Sequence, residues 1–341
     1  MTTKVKGFMG NEPIEVNFPV KLSEDTVRVQ VSVRLSVLEA LDFKQTCEEL
    51  INANPTPKKI IIDFGQTTFM DSSGLGALVS NFKNAQEKEI DLVLQNVTPQ
   101  VMAVLNLTGL VDVFTVEEGE LTESQNPTRR EEQLPETHPS VRSWTKRFID
   151  IVGALVGLVI TAILSIPIII AIEIDDPGPI FFGQIRCGWM GKRFRMWKFR
   201  SMCVDAEAKK AELQKLNQVQ GAFFKIDKDP RVTKVGSLLR RTSLDELPQF
   251  WNVLKGEMSL VGTRPPTPDE VECYEVPEWE RLDVKPGMTG EWQVNGRSSI
   301  RNFEDVIRLD LQYQKNWSLM YDLKLIFKTV AILFNKSSGA M

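Results

Sequence analysis

The sequence of 341 residues contains one histidine and four cysteines that lie far apart. His138 lies in a stretch rich in Pro, Glu and Thr, which argues against Ser-His-Asp, Cys-His and multi-histidine metal chemistry. No two cysteines form a CxxC pair, so the sequence indicates neither a zinc site nor a disulfide framework. This cysteine usage is typical of a chain that faces the cytosol.

Two other signals are missing. Met1–Pro19 is polar where a secretory signal peptide would have an apolar core. Gly188–Arg193 has the wrong spacing for a Walker A loop and lacks Ser or Thr after its lysine. Acidic residues outnumber basic ones in residues 1–140, and the reverse holds for the remainder. The second part is therefore expected to bind anions, and its net charge alone does not choose among phospholipid, diphosphate and nucleic acid.

Strand and helix patterns alternate between Thr26 and Val116. Apolar runs such as KIIIDF and IDLVLQNV predict strands, whereas Ser36–Ile51 and the run SSGLGALVSNFKNAQEK have helical spacing. Strands separated by helices of this length indicate βαβ units and a mainly parallel or mixed sheet. We predict an N-terminal tail at residues 1–20 and an α/β domain at residues 21–117.

The segment FMDSSGLGALVSNFKNA within this domain resembles the signature of STAS domains, the fold of anti-sigma-factor antagonists. In the antagonists, a partner kinase phosphorylates the second serine, which corresponds to Ser73. The resemblance therefore implies a candidate regulatory phosphosite at Ser73 and a regulatory protein as partner. The alternative is that Ser72 and Ser73 only cap a helix.

A long apolar run follows residues 118–142, which are rich in Glu, Thr and Pro and predict a linker. Ile151–Ile172 carries no charge and would measure about 33 Å as a straight helix, enough to cross a bilayer. Ser165 and Pro167 place a helix break inside it. Basic residues on both flanks suit the cytoplasmic side. We predict a re-entrant membrane helix at residues 143–174, with a true transmembrane span as the alternative.

Two adjacent carboxylates, Asp245 and Glu246, lie between a pair of arginines and the turn Gly-Thr-Arg-Pro. A carboxylate can attack phosphorus when nearby cations reduce the repulsion between anions, and Arg240, Arg241 and Arg264 are candidates for that role. The local alternative is a capping box formed by Ser243 and Glu246 at a helix N-terminus.

A longer span favours the chemical interpretation. DPRVTKVGSLLRRTSLDELPQFWNVLKGEMSLVGTRP, followed by KPGMTGEWQVNGRS and YDLKLI, resembles the catalytic domain of bacterial sugar transferases, the monotopic phosphoglycosyl transferases. The resemblance implies transfer of a sugar 1-phosphate from a UDP-sugar to undecaprenyl phosphate, with release of UMP. It makes Asp245 the nucleophile of a covalent phosphosugar intermediate, and it associates Asp245 and Glu246 with Mg²⁺.

The same resemblance implies a mainly α, α+β membrane-associated domain at residues 175–336, followed by a tail at residues 337–341. Both domains would face the cytoplasm at the inner membrane. The family's phosphate-binding and loop motifs fall on Lys198, Arg200, Arg231, Arg240, Arg264, Gln293 and Arg297. The family more often has Gly-Pro-Arg-Pro where this chain has Gly262–Pro265, so the sugar stays undecided.

Two other functions remain open at this point. One is a membrane-tethered regulatory module, in which the STAS-like domain binds a kinase or anti-sigma factor, although such a module would not require Asp245 and Glu246. The other is nucleic-acid binding, which we do not expect because no groove-binding motif occurs. The expected partners are a UDP-sugar, undecaprenyl phosphate and membrane lipid, and a homo-oligomer is left open.

Overall fold

The computed structural model describes residues 3–5, 14–16, 18–23, 25–117, 137–206, 208–209, 229–295 and 303–334. The chain divides into two compact units. The first comprises Met1–Thr137 together with Tyr274–Asp283, and the second comprises His138–Cys273 together with Val284–Met341. Most of the predicted linker, the C-terminal tail and Arg297 lie outside the described residues.

The first unit is built on a mixed sheet. Two short strands, β1 (Thr3–Val5) and β2 (Ile14–Val16), form a separate antiparallel pair. The main sheet has the order β3-β4-β6-β8-β9, and β5 pairs with β7 beside it. Strand β3 is antiparallel to β4, and the other neighbours are parallel. The predicted α/β fold is confirmed, with strands β3 (Val20–Ser23), β4 (Thr26–Gln30), β5 (Arg34–Leu35), β6 (Lys59–Asp63), β7 (Phe69–Met70), β8 (Asp91–Gln95) and β9 (Thr115–Glu117).

Three helices connect these strands: α1 (Val37–Ile51), α2 (Ser72–Glu87) and α3 (Pro99–Thr108). Each begins at a polar cap. Ser36 and Glu39 form a capping box at α1, the Asp71 side chain accepts a hydrogen bond from the Gly74 N–H at α2, and Thr98 caps α3. These caps satisfy N–H groups that a helix start leaves without partners.

The second unit opens on α4 (Pro139–Arg142) and the long helix α5 (Trp144–Asp175). Helix α5 is the one helix in the described part of the chain that is long and apolar enough to cross a membrane. Its small residues allow close packing, since a Cβ on Gly153 would come within 2.5 Å of the Leu260 side chain and one on Gly157 within 2.5 Å of Phe250. Its other face exposes Leu155, Val159, Ile163, Ile166, Ile170 and Ile174.

The predicted break at Ser165 and Pro167 does not end α5. The helix continues through Pro167, and the Ser165 hydroxyl donates to the Ala162 carbonyl at 2.8 Å. Proline removes one N–H donor, and a helix in an apolar setting tolerates this when nearby groups compensate. A bend at Pro167 within a continuous helix stays a prediction.

Beyond α5 the second unit mixes short strands and helices. The hairpin of β10 (Phe181–Cys187) and β11 (Arg193–Phe199) is antiparallel, and β12 (Ser259–Val261) pairs in parallel with β13 (Gly287–Thr289). The helices are α6 (Lys234–Thr242), α7 (Gln249–Lys255), α8 (Pro268–Glu272), α9 (Glu291–Val294), α10 (Phe303–Lys315) and α11 (Leu319–Phe334).

A buried polar cluster joins the start of α5 to α10 and α11. The Lys146 ammonium donates to Asp322 at 2.6 Å and to the Val261 carbonyl at 3.0 Å. Asp322 also accepts from the Tyr313 hydroxyl at 2.7 Å and from the Trp317 indole at 3.1 Å. Because both charged side chains are almost fully buried, each offsets part of the cost of removing the other's charge from water.

Candidate active site

Asp245 and Glu246 lie in a single 3-10 turn, Leu244–Glu246, between α6 and α7. Ser243 has φ 57°, in the left-handed region, and serves as the C-cap of α6. Its side chain makes no capping bond to the following turn. The capping-box alternative is therefore wrong. A left-handed residue ends a helix, so the turn that follows it presents the two carboxylates ahead of α7.

Cations gather around this acidic pair. Asp245 is 5% exposed, and Glu246 accepts from the Lys198 ammonium at 3.0 Å. The Arg240 guanidinium donates to the Ser201 hydroxyl at 2.9 Å. Burial lowers the pKa of Arg240, and the negative charges of Asp245 and Glu246 oppose that shift. The structure therefore brings Lys198 and Arg240 to the acidic pair, and phosphate binding by either residue stays a prediction.

Arg231 and Arg200 are also buried nearby, but their side chains are already engaged. The Arg231 guanidinium binds both carboxylate oxygens of Asp229, at 2.6 Å and 2.9 Å, and holds the pKa of that carboxyl below its usual range. The Arg200 guanidinium donates to the Asp176 carbonyl. In this geometry both arginines brace loops, and direct phosphate binding by either stays a prediction.

A second group forms around Arg264. Its guanidinium makes a fork with the buried Glu270 carboxylate, at 2.6 Å and 3.1 Å, and lies 6.0 Å from the centre of the Trp292 ring. On the same short helix as Trp292, the Gln293 side-chain carbonyl is buried and has no hydrogen-bond partner among the described residues. A buried carbonyl in that state suits a ligand that brings a donor.

Arg186 links the two groups, and the sequence interpretation missed it. Its guanidinium donates to the Pro265 carbonyl at 2.8 Å and to the Gln184 side chain. Burial, followed by repulsion from Arg264, lowers the pKa of Arg186 to about 10, whereas Glu270 and Glu246 raise it. The charge of Arg186 therefore interacts with both the acidic pair and the Arg264 group. The sequence showed it only as one of several charges after the apolar run.

The two carboxylates can be tested as ligands for a magnesium ion. The described residues contain no cluster of three or more His, Cys, Asp or Glu side chains able to hold a metal. Mg²⁺ is commonly bound through one or two carboxylates, with substrate phosphates and waters completing its shell. The oxygens of Asp245 and Glu246 fit that mode, and Mg²⁺ stays a prediction.

Comparison with protein-family models decides the assignment. Residues 141–336 match the model described as bacterial sugar transferase, and residues 17–123 match the STAS domain. The chain belongs to the bacterial sugar transferase family. The sugar transferase match covers more than half of the chain, and the STAS match covers the first unit's main sheet and its helices.

Several known proteins are similar to the second part of the chain. It is 51% identical over 188 residues to the galactosyl transferase CpsE of Streptococcus agalactiae serotype III (strain NEM316), covering 55% of this chain and 42% of that one. It is 38% identical over 213 residues to the exopolysaccharide production protein ExoY of Rhizobium meliloti (strain 1021), covering 60% and 94%. It is 42% identical over 192 residues to the UDP-glucose:undecaprenyl-phosphate glucose-1-phosphate transferase of Escherichia coli (strain K12), covering 54% and 39%. The chain thus spans less than half the length of two of these relatives.

Proposed function

We propose that this transferase moves a sugar 1-phosphate from a UDP-sugar to undecaprenyl phosphate and releases UMP, which would begin a lipid-linked saccharide. The observation that carries the proposal is a buried carboxylate, Asp245, whose negative charge acts on the nearby Arg240 guanidinium. The family match supports it, as does the name of the Escherichia coli relative, which states both substrates. A regulatory module would have no use for such a carboxylate.

The reaction has two displacements at one phosphorus. A carboxylate oxygen of Asp245 attacks the phosphorus that carries the sugar, the bond to the bridging oxygen breaks, and UMP leaves with that electron pair. A phosphate oxygen of undecaprenyl phosphate then attacks the same phosphorus. The aspartyl bond breaks, which restores the carboxylate and yields the sugar on a lipid diphosphate.

The surrounding side chains suit this chemistry because the reactants are all anions. Arg240 and Lys198 would offset the charge on the acidic pair and on the attacked phosphate. Arg264, Arg186 and the free carbonyl of Gln293 would bind the nucleotide sugar, and the KM for UDP-sugar reports on that role. Mg²⁺ held by Asp245 and Glu246 would supply further neutralisation of phosphate charge.

Release of UMP from purified membranes tests the proposal. We expect UMP and a lipid-linked sugar diphosphate in equal amounts when a UDP-sugar and undecaprenyl phosphate are both supplied. A chelator should stop both products, and added Mg²⁺ should restore them. A panel of UDP-sugars identifies the sugar. UMP formed at the same rate without Mg²⁺, or without the lipid product, would contradict the proposal.

We also propose that both units face the cytoplasm and that α5 enters and leaves the membrane on that side. The N-terminal half of α5 packs through Ala154 on Val253 and Met258, and its C-terminal half packs through Ile168 and Ile172 on Phe199 and Leu239. All these partners belong to the second unit. A helix crossing the bilayer could not keep both halves on one water-soluble body.

Thiol labelling tests this orientation. On a background without the four native cysteines, Thr122→Cys and Ser338→Cys should both react with a membrane-impermeant reagent only after the cells are opened. Labelling of Ser338→Cys in intact cells, with Thr122→Cys protected, would instead establish a transmembrane span.

A further inference from the structure

One segment of the transferase sequence belongs to the STAS unit. Tyr274–Asp283 lies between α8 and β13 in the chain, yet it is part of the first compact unit. Its 3-10 helix, Val276–Leu282, packs on α1 and α2. We call Tyr274–Asp283 the docking segment.

The fit between the docking segment and α2 is close. A Cβ placed on Gly76 would lie 2.5 Å from the indole ring of Trp279, so the ring occupies the space that any side chain larger than glycine needs. Within the docking segment, the fully buried Arg281 donates to the Tyr274 hydroxyl at 2.7 Å. At its edge, Lys44 of α1 pairs with Glu275 at 3.1 Å. The contact therefore has a buried centre and a charged rim, as protein interfaces do.

The docking segment also places a carboxylate on the N-terminus of α2. Asp283 accepts a hydrogen bond from the Ser72 N–H at 2.9 Å, and Asp71 accepts one from the Gly74 N–H at 2.9 Å. Helix N-termini bind phosphate through these N–H groups and the helix dipole. Here two of the protein's own carboxylates already use that position.

The burial of the two serines at the start of α2 also argues against a phosphate there. Ser72 and Ser73 are both fully buried, and the Ser73 hydroxyl has no hydrogen-bond partner among the described residues. A kinase cannot reach a hydroxyl in that state. A phosphate on Ser73 would, in addition, face Asp283 and Asp71 at short range, which like charges strongly disfavour.

We propose that the STAS unit is an intrachain receptor for the docking segment, and that docking on α2, rather than a phosphate on Ser73, is the signal it passes to the sugar transferase site. The proposal deepens the proposed function and rests on it for its effect on turnover. The docking itself does not depend on that activity.

The route to the active site follows the two ends of the docking segment. Before it, α8 carries Glu270, which holds the Arg264 guanidinium. After it, the Pro286 carbonyl accepts from the Ser259 N–H at 2.8 Å, and the Gly287 N–H donates to the Thr263 carbonyl at 2.8 Å. Docking therefore anchors the two stretches of chain that flank the docking segment, and these stretches position Arg264. Release of the docking segment would leave both stretches free to move and should weaken binding of the nucleotide sugar.

The strength of docking should also depend on pH. Burial, followed by repulsion from Asp71, raises the pKa of Asp283 to about 7, and burial raises the pKa of Asp71 to about 6. The other charged groups that act on the pair, Glu280 and Glu39, are also acidic. An acid with a raised pKa in the docked state binds protons more tightly when docked. Docking should therefore weaken as the pH rises from about 4, near the ordinary pKa of an Asp carboxyl, to about 7.

Hydrogen exchange on the full-length protein tests the docking. We expect Gly76→Ala and Trp279→Ala each to speed amide exchange in the docking segment by about tenfold or more. Gln86→Ala, exposed on the same helix, is the control and should change nothing there. In the Trp279→Ala background the methyl of Gly76→Ala meets no ring, so its effect should vanish. Equal effects of Gly76→Ala in both backgrounds would overturn the docking contact.

Asp283→Asn should strengthen docking, whereas Gly76→Ala and Trp279→Ala should weaken it. The amide oxygen can still accept from the Ser72 N–H, and the repulsion from Asp71 is gone. Exchange in the docking segment at pH 8 should slow, and its dependence on pH should flatten. Faster exchange at pH 8 in this variant would contradict the role given to the carboxylate pair.

The coupling to turnover is measured separately. Trp279→Ala should raise the KM for the UDP-sugar about tenfold and leave kcat within about twofold. Faster exchange with an unchanged KM would show that docking does not affect the sugar transferase site, whereas the docking contact itself would still stand. Absence of any turnover in the unmodified protein would count against the proposed function, whereas the exchange results would still decide the docking.

Discussion

Asp245→Asn should abolish turnover, with the rate of UMP release falling at least about a thousandfold. The amide has the size of the carboxylate, so the buried turn Leu244–Glu246 can keep its shape. An amide cannot form the acyl-phosphate bond, and it does not restore the negative charge that Arg240 faces. Mass spectrometry of the protein mixed with a UDP-sugar alone should find a sugar phosphate attached to the unmodified protein and none on the variant.

Asp305→Asn is the matched control for this substitution. Asp305 is exposed, pairs with Arg308 on the surface of α10, and lies outside the proposed site. It should keep the rate of the unmodified protein. If Asp245→Asn released UMP at that same rate, the covalent route through Asp245 would be wrong.

Asp322→Ala should lower the free energy of unfolding of the second unit by about 3–5 kcal/mol. The substitution leaves the Lys146 ammonium buried without its carboxylate, and it removes the acceptor for Tyr313 and Trp317. Thermal unfolding in detergent, followed at the transition of the second unit, measures the loss. The cost should exceed that of an average substitution, because an uncompensated charge inside a protein is seldom tolerated.

Two further variants show whether the buried charge causes this loss of stability. The double variant Lys146→Met with Asp322→Leu removes both charges and should recover much of the loss, since apolar residues can replace a buried pair. Asp305→Ala breaks an exposed pair and should cost less than about 1 kcal/mol. A double variant as unstable as Asp322→Ala would show that hydrogen bonding and packing, rather than the buried charge, dominate at this position.

The sequence predicted the fold of the STAS unit well because its helix caps and turns are marked by residues close together in the chain. The capping pair Ser36 and Glu39 marks the start of α1, and Asp71 with the glycines of α2 marks a strand-to-helix turn. Alternation of strands and helices then limits the sheet to a few topologies. Nothing local indicated that Tyr274–Asp283 would join this unit, because its partners on α1 and α2 lie about two hundred residues earlier in the chain.

The sequence predicted some of the neighbours in the candidate site and missed others. The acidic pair and its cations Lys198 and Arg240 come together. Arg231, by contrast, is held by Asp229, and Arg264 by Glu270. Which anion satisfies an arginine depends on tertiary contacts, which a motif does not encode. The same limit explains why Ser243 looked like an N-cap, although its left-handed backbone makes it the end of α6.

The packing of α5 has a practical consequence for handling the protein. Ala154 shares a cluster with Phe194, Met196 and Val253, and Ile168 and Ile172 share another with Phe199 and Leu239. The apolar helix is thus one wall of two cores. Deletion of the residues up to Asp175 would remove that wall and leave large apolar side chains facing water. A shortened protein designed without the long apolar helix would therefore lose the fold of the second unit.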